Sequence, residues 1–275
     1  MEVLTYKLGG NSFPIIIQQS NKKHFIKLRA GLSGEYSLLS EWFGNEVGRL
    51  IGLNTQKPQW IWLTNSLNFK NIYIEVRDLI EKSFGINIGF EYIENVQEIN
   101  LNDLTKVDKE RFSNIYLLDV LMLNVDRTTE NLNLLKLDNN EILITDFDSS
   151  LIFNEIFNGL NPSKNKRILQ ALKSNPFYKN VKELNVECFI KALNQLDFKK
   201  MIGEIPEELL NSREKEIFLT NINNKKNSGW DLKNILIEID KTTLELESDK
   251  KLRLHKNKQK FINSMNSTHN KVYKK

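Results

Sequence analysis

Asp126 and Asn131 stand five residues apart in the polar stretch NVDRTTEN, and Asp146 closes the apolar run ILITD further along. Together these residue types form the inventory that phosphoryl transfer from ATP requires. One carboxylate, Asp126, would orient or deprotonate the attacking hydroxyl. An amide oxygen, Asn131, and a second carboxylate, Asp146, would bind Mg²⁺, a hard cation that prefers oxygen ligands. The competing reading is a turn in which Asx side chains satisfy backbone donors. For an isolated D-x4-N that reading would prevail, and the T-D-F after a second strand-like segment weighs against it.

The elements around these residues can position them. The segment 107–124 reads as a helix dense in apolar residues, and 132–153 as a pair of strands. A loop that leaves a helix and enters a strand can aim two side chains into one cleft. Backbone pairing would hold Asp146 at the sheet's end. Further helices are expected over 165–175, 181–197, 206–223 and 229–247.

Residues 1 to about 95 read instead as strands around helices. Gly9, Gly10, Asn11 and Ser12 lie in a turn between two strands, where backbone amides can approach phosphates closely. A Gly-rich hairpin turn also exists without any ligand. In HFIKLRA, strand alternation puts Phe25 and Lys27 on one face and Ile26 and Leu28 on the other. A lysine amid apolar neighbours needs an anionic partner. The following helix has an apolar stripe of Tyr36, Leu39, Phe43, Val47 and Leu50, and offers two glutamates. Glu46 lies near the stripe's boundary, whereas Glu41 shares a face with Gly44 and Gly48. Two glycines on one face permit close backbone approach, which favours Glu41, although periodicity alone leaves both open.

Composition excludes other chemistries. The chain has one cysteine, Cys188, so it holds neither an internal disulfide nor a cysteine metal cluster. Its three histidines, His24, His255 and His269, are not at metal-ligand spacing and do not adjoin the polar stretch, which argues against zinc or histidine catalysis. No apolar run has the length of a membrane span and the N-terminus does not read as a signal peptide, so a cytoplasmic location is expected. From Lys250 onward there are nine basic and no acidic residues, which leaves a net charge of −5 on the remainder. Such a tail is a solvated end or a contact for an anionic partner.

In the order GGNSFP, FIKLRA, SEWFGNEVGRLIGL, GFEYI, LNVDRTTEN, ITDFD, NPFY and IPEEL, the chain resembles the HipA-like kinase family. Its two-lobed fold is distantly related to those of protein kinases and phosphatidylinositol kinases. The resemblance runs from Gly9 to about Trp230, and its strongest parts are D-R-x3-N and the helix ending LIGL. It implies an ATP·Mg²⁺ site between lobes, with Lys27 on the phosphates, Glu41 bracing it, Asp126 as catalytic aspartate, and Asn131 and Asp146 on the metal. Glu91, Tyr92 and Ile93 would form the hinge that binds adenine through backbone groups, and Arg127 would brace the loop. The chain departs from better-known members in lacking the extra N-terminal subdomain of the HipA toxins, which puts toxin–antitoxin pairing in doubt. It also has Thr128 where many relatives carry histidine, and DFD where protein kinases have glycine in the third position.

The expectation is therefore an α+β, bilobed, protein-kinase-like fold. A β-rich N-lobe would span 1–95, a helical C-lobe 96–247 and a basic tail 248–275. The expected activity is transfer of the ATP γ-phosphate to a Ser or Thr hydroxyl of a protein, with Ser12 of the chain's own Gly-rich loop a candidate acceptor. The alternatives are a lipid or small-molecule kinase, or a nucleotide-binding pseudokinase whose tail docks on a partner.

Overall fold

A computed structural model describes residues 1–6, 14–32, 34, 36–69, 72–104, 109–179 and 186–243. Its first half is a six-stranded sheet formed by β1 (Glu2–Tyr6), β2 (Ile15–Gln19), β3 (Lys22–Lys27), β4 (Gln59–Leu63), β5 (Asn68–Phe69) and β6 (Gly85–Glu91). The strand order is β4-β6-β3-β2-β1-β5, antiparallel except for the short β1–β5 pair. The β2–β3 hairpin turns on Ser20 and Asn21, both with positive φ, the backbone geometry that matches the strands' right-handed twist.

Alternation along these strands decides which core each side chain enters. Ile15 and Ile17 of β2, Ile26 of β3, Leu28, and Ile61 and Leu63 of β4 join Val76 and Ile80 of α2 (Ile74–Lys82) in a small core. On the other face, Phe25, Trp60, Ile88 and Phe90 pack against a second, larger core. That larger core also takes Leu38, Leu39, Trp42, Phe43 and Val47 of α1 (Ser37–Leu50). The buried face of α1 is wider than the expected stripe, since Leu38 and Trp42 are buried while Leu50 is exposed.

The centre of the larger core is α3 (Lys109–Met122), in which Ile115 to Leu118 and Val120 to Met122 are buried in an unbroken run around Asp119. A helix apolar on all sides must be enclosed, and α3 is packed by the helices around it. The helices that follow are α4 (Ile152–Asn158), α5 (Lys166–Ser174), α6 (Val186–Asn194), α7 (Phe198–Gly203), α8 (Ser212–Asn227) and α9 (Leu232–Lys241), of which α6 and α9 pack on α3, as does α1. A three-stranded sheet, β7 (Gln97–Glu98), β8 (Leu134–Lys136) and β9 (Ile142–Ile144), lies at its edge.

Three helix boundaries differ from expectation for local reasons. α8 starts at Ser212 rather than near 206, because Asn211 and Glu214 form a reciprocal capping box there. α7 is a separate helix, begun by Asp197, whose side chain accepts from the Lys200 N–H. α4 occupies residues at the end of the expected strand pair, because Phe147–Ser150 turns the chain before it. The basic tail lies outside the described residues. Among those described, no helix is long and apolar enough to cross a membrane.

Candidate active site

The last residue of β3 is Lys27, which alternation turns away from the small core and toward α1. Its Nζ lies 2.7 Å from Asp146 Oδ1, 3.0 Å from Glu41 Oε2 and 3.1 Å from Asp148 Oδ2, and the lysine is almost fully buried. Burial opposes its charge, but the three carboxylates outweigh it and raise its pKa above that of an ordinary lysine. Of the two candidate glutamates, Glu41 makes this pair, while Glu46 pairs with Arg49 on its own helix.

Glu41 is itself fully engaged. Oε1 accepts from Asn45 Nδ2 at 3.0 Å, and Oε2 also accepts from the backbone N–H of Phe147 at 2.6 Å. Burial pushes its pKa up to about 7 against the pull of Lys27. Close approach between α1 and the Asp146–Asp148 segment depends on Gly44, where a Cβ would lie 2.4 Å from the Phe147 ring. Gly48, one turn on, lies against Thr55 and Leu118 in the same way.

Asp146 does not sit within a strand. β9 ends at Ile144, and Asp146 follows with φ of +68°, a left-handed conformation unfavourable for a residue with a side chain. Hydrogen bonds on both sides of it hold this backbone, from Phe147 N–H to Glu41 and from Thr145 N–H to the Asn133 carbonyl at 3.0 Å. Burial works against the charge of Asp146, but Lys27 dominates and lowers its pKa.

The polar stretch begins where α3 ends. Leu123 has φ of +54°, and the Asn124 N–H closes back on the Asp119 carbonyl at 2.8 Å. The capping work in this loop falls to Asn124, whose side chain accepts from Asp126 N–H, and to Thr128, whose hydroxyl accepts from Asn131 N–H. The Asp126 carboxylate caps neither. Instead Asp126 Oδ2 accepts from Asn131 Nδ2 at 3.0 Å and from Asn133 Nδ2 at 3.5 Å. Asp126 is half-buried, and burial together with the nearby charge of Asp146 raises its pKa.

Beneath this loop lies a buried hub that residue spacing gave no reason to single out. Asp119 forms an ion pair with Arg127 Nε at 2.7 Å and accepts from Asn124 Nδ2 at 3.0 Å and Asn175 Nδ2 at 2.8 Å. Arg127 in turn donates to the carbonyls of Leu132 and Asn133, so it ties both ends of the loop to α3. Arg127 was expected to brace the loop, and the lone acid in the apolar run IYLLDVLML was the visible trace of its partner. Asp148 and Asn133 were likewise not singled out as site residues.

The remaining expected residues are distributed as follows. Glu91 ends β6 exposed, with its carbonyl accepting from Gln56 Nε2 at 2.8 Å, and Tyr92 N–H donates to the Lys23 carbonyl at 3.0 Å. Ile93 follows, half-buried, on the link to β7. Gly9, Gly10, Asn11 and Ser12 lie outside the described residues. Carboxylate oxygens of Glu41, Asp146 and Asp148 all fall within 4.8 Å of one another. Glu41 is only 1% exposed and its oxygens are bonded to Asn45, Phe147 and Lys27, which leaves Asp146 and Asp148, 34% and 17% exposed, as the more accessible carboxylates. Asn131 commits its amide nitrogen to Asp126, and its carbonyl oxygen is a donor of the kind Mg²⁺ takes, as are the carboxylates of Asp146 and Asp148.

Residues 1–229 match the model of the HipA-like kinase family. Among solved structures, the fold is similar to that of the proinflammatory kinase CtkA of Helicobacter pylori. That match has a TM-score of 0.52 at 16% identity, and covers 88% of this chain and 96% of the other. No curated protein matches the chain.

Proposed function

The chain belongs to the HipA-like kinase family, and from that premise we propose that it transfers the γ-phosphate of ATP to a Ser or Thr hydroxyl of a protein. The observation that carries this reading is the convergence on Lys27 of Glu41 and Asp146, with the Asp126–Asn131 pair beside them. Lys27 binds the α- and β-phosphates, and Glu41 holds its ammonium in place. Asp126 receives the acceptor hydroxyl and takes its proton as the acceptor oxygen bonds to the γ-phosphorus and the bond from that phosphorus to the β–γ bridging oxygen breaks, releasing ADP. Asn131 and Asn133 orient that carboxylate. Mg²⁺ would be held by Asn131 and Asp146 and would supply charge neutralisation at the phosphate oxygens. Adenine sits against the backbone of Glu91 to Ile93, and the phosphates are assigned to the Gly-rich stretch Gly9 to Ser12. Ser12 is the acceptor within the chain itself.

The test is incubation of the protein with γ-labelled ATP and Mg²⁺, alone, with mixed protein and with phosphoinositide vesicles. Label is expected in phosphoserine or phosphothreonine, with the self-labelled fraction reduced by Ser12→Ala. Label confined to lipid would assign the acceptor to another class. Nucleotide binding with no transfer to any acceptor would make the chain a pseudokinase.

A further inference from the structure

Lys27 has one more carboxylate than the proposed chemistry uses. Asp146 is wanted by the metal, and its 2.7 Å contact with Lys27 Nζ must loosen or be shared when the metal binds. Glu41 cannot compensate by moving, because Asn45 and the Phe147 N–H fix both its oxygens. The remaining partner is Asp148, at 3.1 Å.

The position of Asp148 is set by the fold rather than by the lysine. It lies in a turn closed by Ser150 N–H to the Phe147 carbonyl at 3.0 Å. The Ser150 carbonyl accepts from Ser40 Oγ of α1 at 2.9 Å, and Leu151 N–H donates to the Met122 carbonyl at the end of α3 at 3.1 Å. Its Oδ1 accepts from Ser149 Oγ at 3.2 Å, which leaves Oδ2 toward Lys27. The same two helices that carry Glu41 and the polar loop therefore carry Asp148.

We infer that Asp148 is a positioning residue which, with Glu41, brackets the Lys27 ammonium so that Asp146 is free to serve the metal. This rests on the kinase reading above. A glycine at this position would leave Lys27 with Glu41 alone whenever Asp146 is engaged. In phosphoryl transfer, where catalysis is mostly positioning and charge stabilisation, a lysine free to wander costs rate rather than affinity.

The experiment is a double-mutant cycle of Asp148→Asn and Lys27→Met in the transfer assay, with the Mg²⁺ concentration for half-maximal rate measured for each protein. Asp148→Asn is expected to lower kcat on the order of tenfold, the worth of one charge-assisted hydrogen bond, with half-saturating Mg²⁺ unchanged. In the Lys27→Met background it should lower kcat no further, because its effect runs through the lysine. A rise in half-saturating Mg²⁺ like that of Asp146→Asn would make Asp148 a metal ligand and overturn the inference. So would effects that multiply in the double variant, or an Asp148→Asn kcat equal to wild type. Should Asp148→Asn melt early, Asp148→Ser carries the same cycle without a buried amide to satisfy. A wild-type chain that transfers phosphate to nothing would sink the kinase reading, and this inference with it. A transferring wild type with an unaffected Asp148→Asn sinks the inference alone.

Discussion

The two hydrophobic cores divide the site between them in a way that chain order conceals. The small core under β1–β4 and α2 takes Ile26 and Leu28 on either side of Lys27, the last residue of β3, and Lys27 itself turns the other way. The larger core carries the acids that meet it among the described residues: Glu41 through α1, and Asp146 and Asp148 through the segment packed on Gly44. α1 lies between two strands of the first sheet in sequence, yet its buried residues belong with the helices. Its exit is fastened to the same side, since Asn54 exchanges bonds with Ile142 and Ile144, and Thr55 holds the Asn45 carbonyl. The lysine–glutamate pair therefore joins the sheet to α1, whereas the Glu41–Phe147 bond joins α1 to the segment after β9.

The largest effect expected from this division follows removal of the lone cation that the sheet contributes to the cluster. Lys27→Met should lower phosphate transfer by about 10² or more, because charge stabilisation and positioning carry most of the rate in this chemistry. Glu41→Gln should act in the same direction more mildly, and Glu46→Gln should be near neutral in the same assay. A damaging Glu46→Gln beside a silent Glu41→Gln would break the comparison.

Gly44→Ala is expected to cost about 1–3 kcal/mol of stability, the usual range for overpacking, because its Cβ would collide with the Phe147 ring. The strain should pass to the left-handed Asp146 and weaken Mg²⁺-dependent nucleotide binding, while leaving metal-free binding through Lys27 in place. Thermal melting and calorimetry separate the two effects. Equal loss of binding with and without Mg²⁺ would place the damage elsewhere.

A smaller and more local effect tests the division itself. Ile17→Ala empties a fully buried position of the small core. Hydrogen exchange should speed up in β1–β3, with α1 and α3 protected as before. Faster exchange in α1 as well would show that the helix moves with the sheet.

Much of the architecture was legible locally. The alternation in HFIKLRA foretold that Ile26 and Leu28 would turn one way and Phe25 and Lys27 the other, because a strand's period of two needs no knowledge of what lies opposite. The glycines Gly44 and Gly48 likewise marked the face of α1 that approaches its neighbours. Other features depend on contacts between residues more than a hundred positions apart, as Lys27 is from Asp146 and Asp148. Neither spacing nor composition reports such distances. Asp119 was hidden for a related reason, since an acid inside an apolar helix shows no partner until the loop folds Arg127 back onto it. The end of β9 was misjudged because Asp146 lies past the last paired strand residue, between the Thr145 bond to the Asn133 carbonyl and the Phe147 bond to the Glu41 side chain.

The most direct test of the proposed roles compares Asp126→Asn with Asp146→Asn. Each variant is titrated calorimetrically with a non-hydrolysable ATP analogue with and without Mg²⁺, and each is assayed for phosphate transfer. Asp126→Asn is predicted to lose transfer while its Mg²⁺-dependent binding stays within about twofold of wild type, since it removes the group that receives the hydroxyl and no metal ligand. Asp146→Asn is predicted to lose the Mg²⁺-dependent part of binding, since it takes a formal charge from a hard-cation site. If both variants bind and transfer like wild type, NVDRTTEN is a folded turn without chemistry, and the account of this site is wrong.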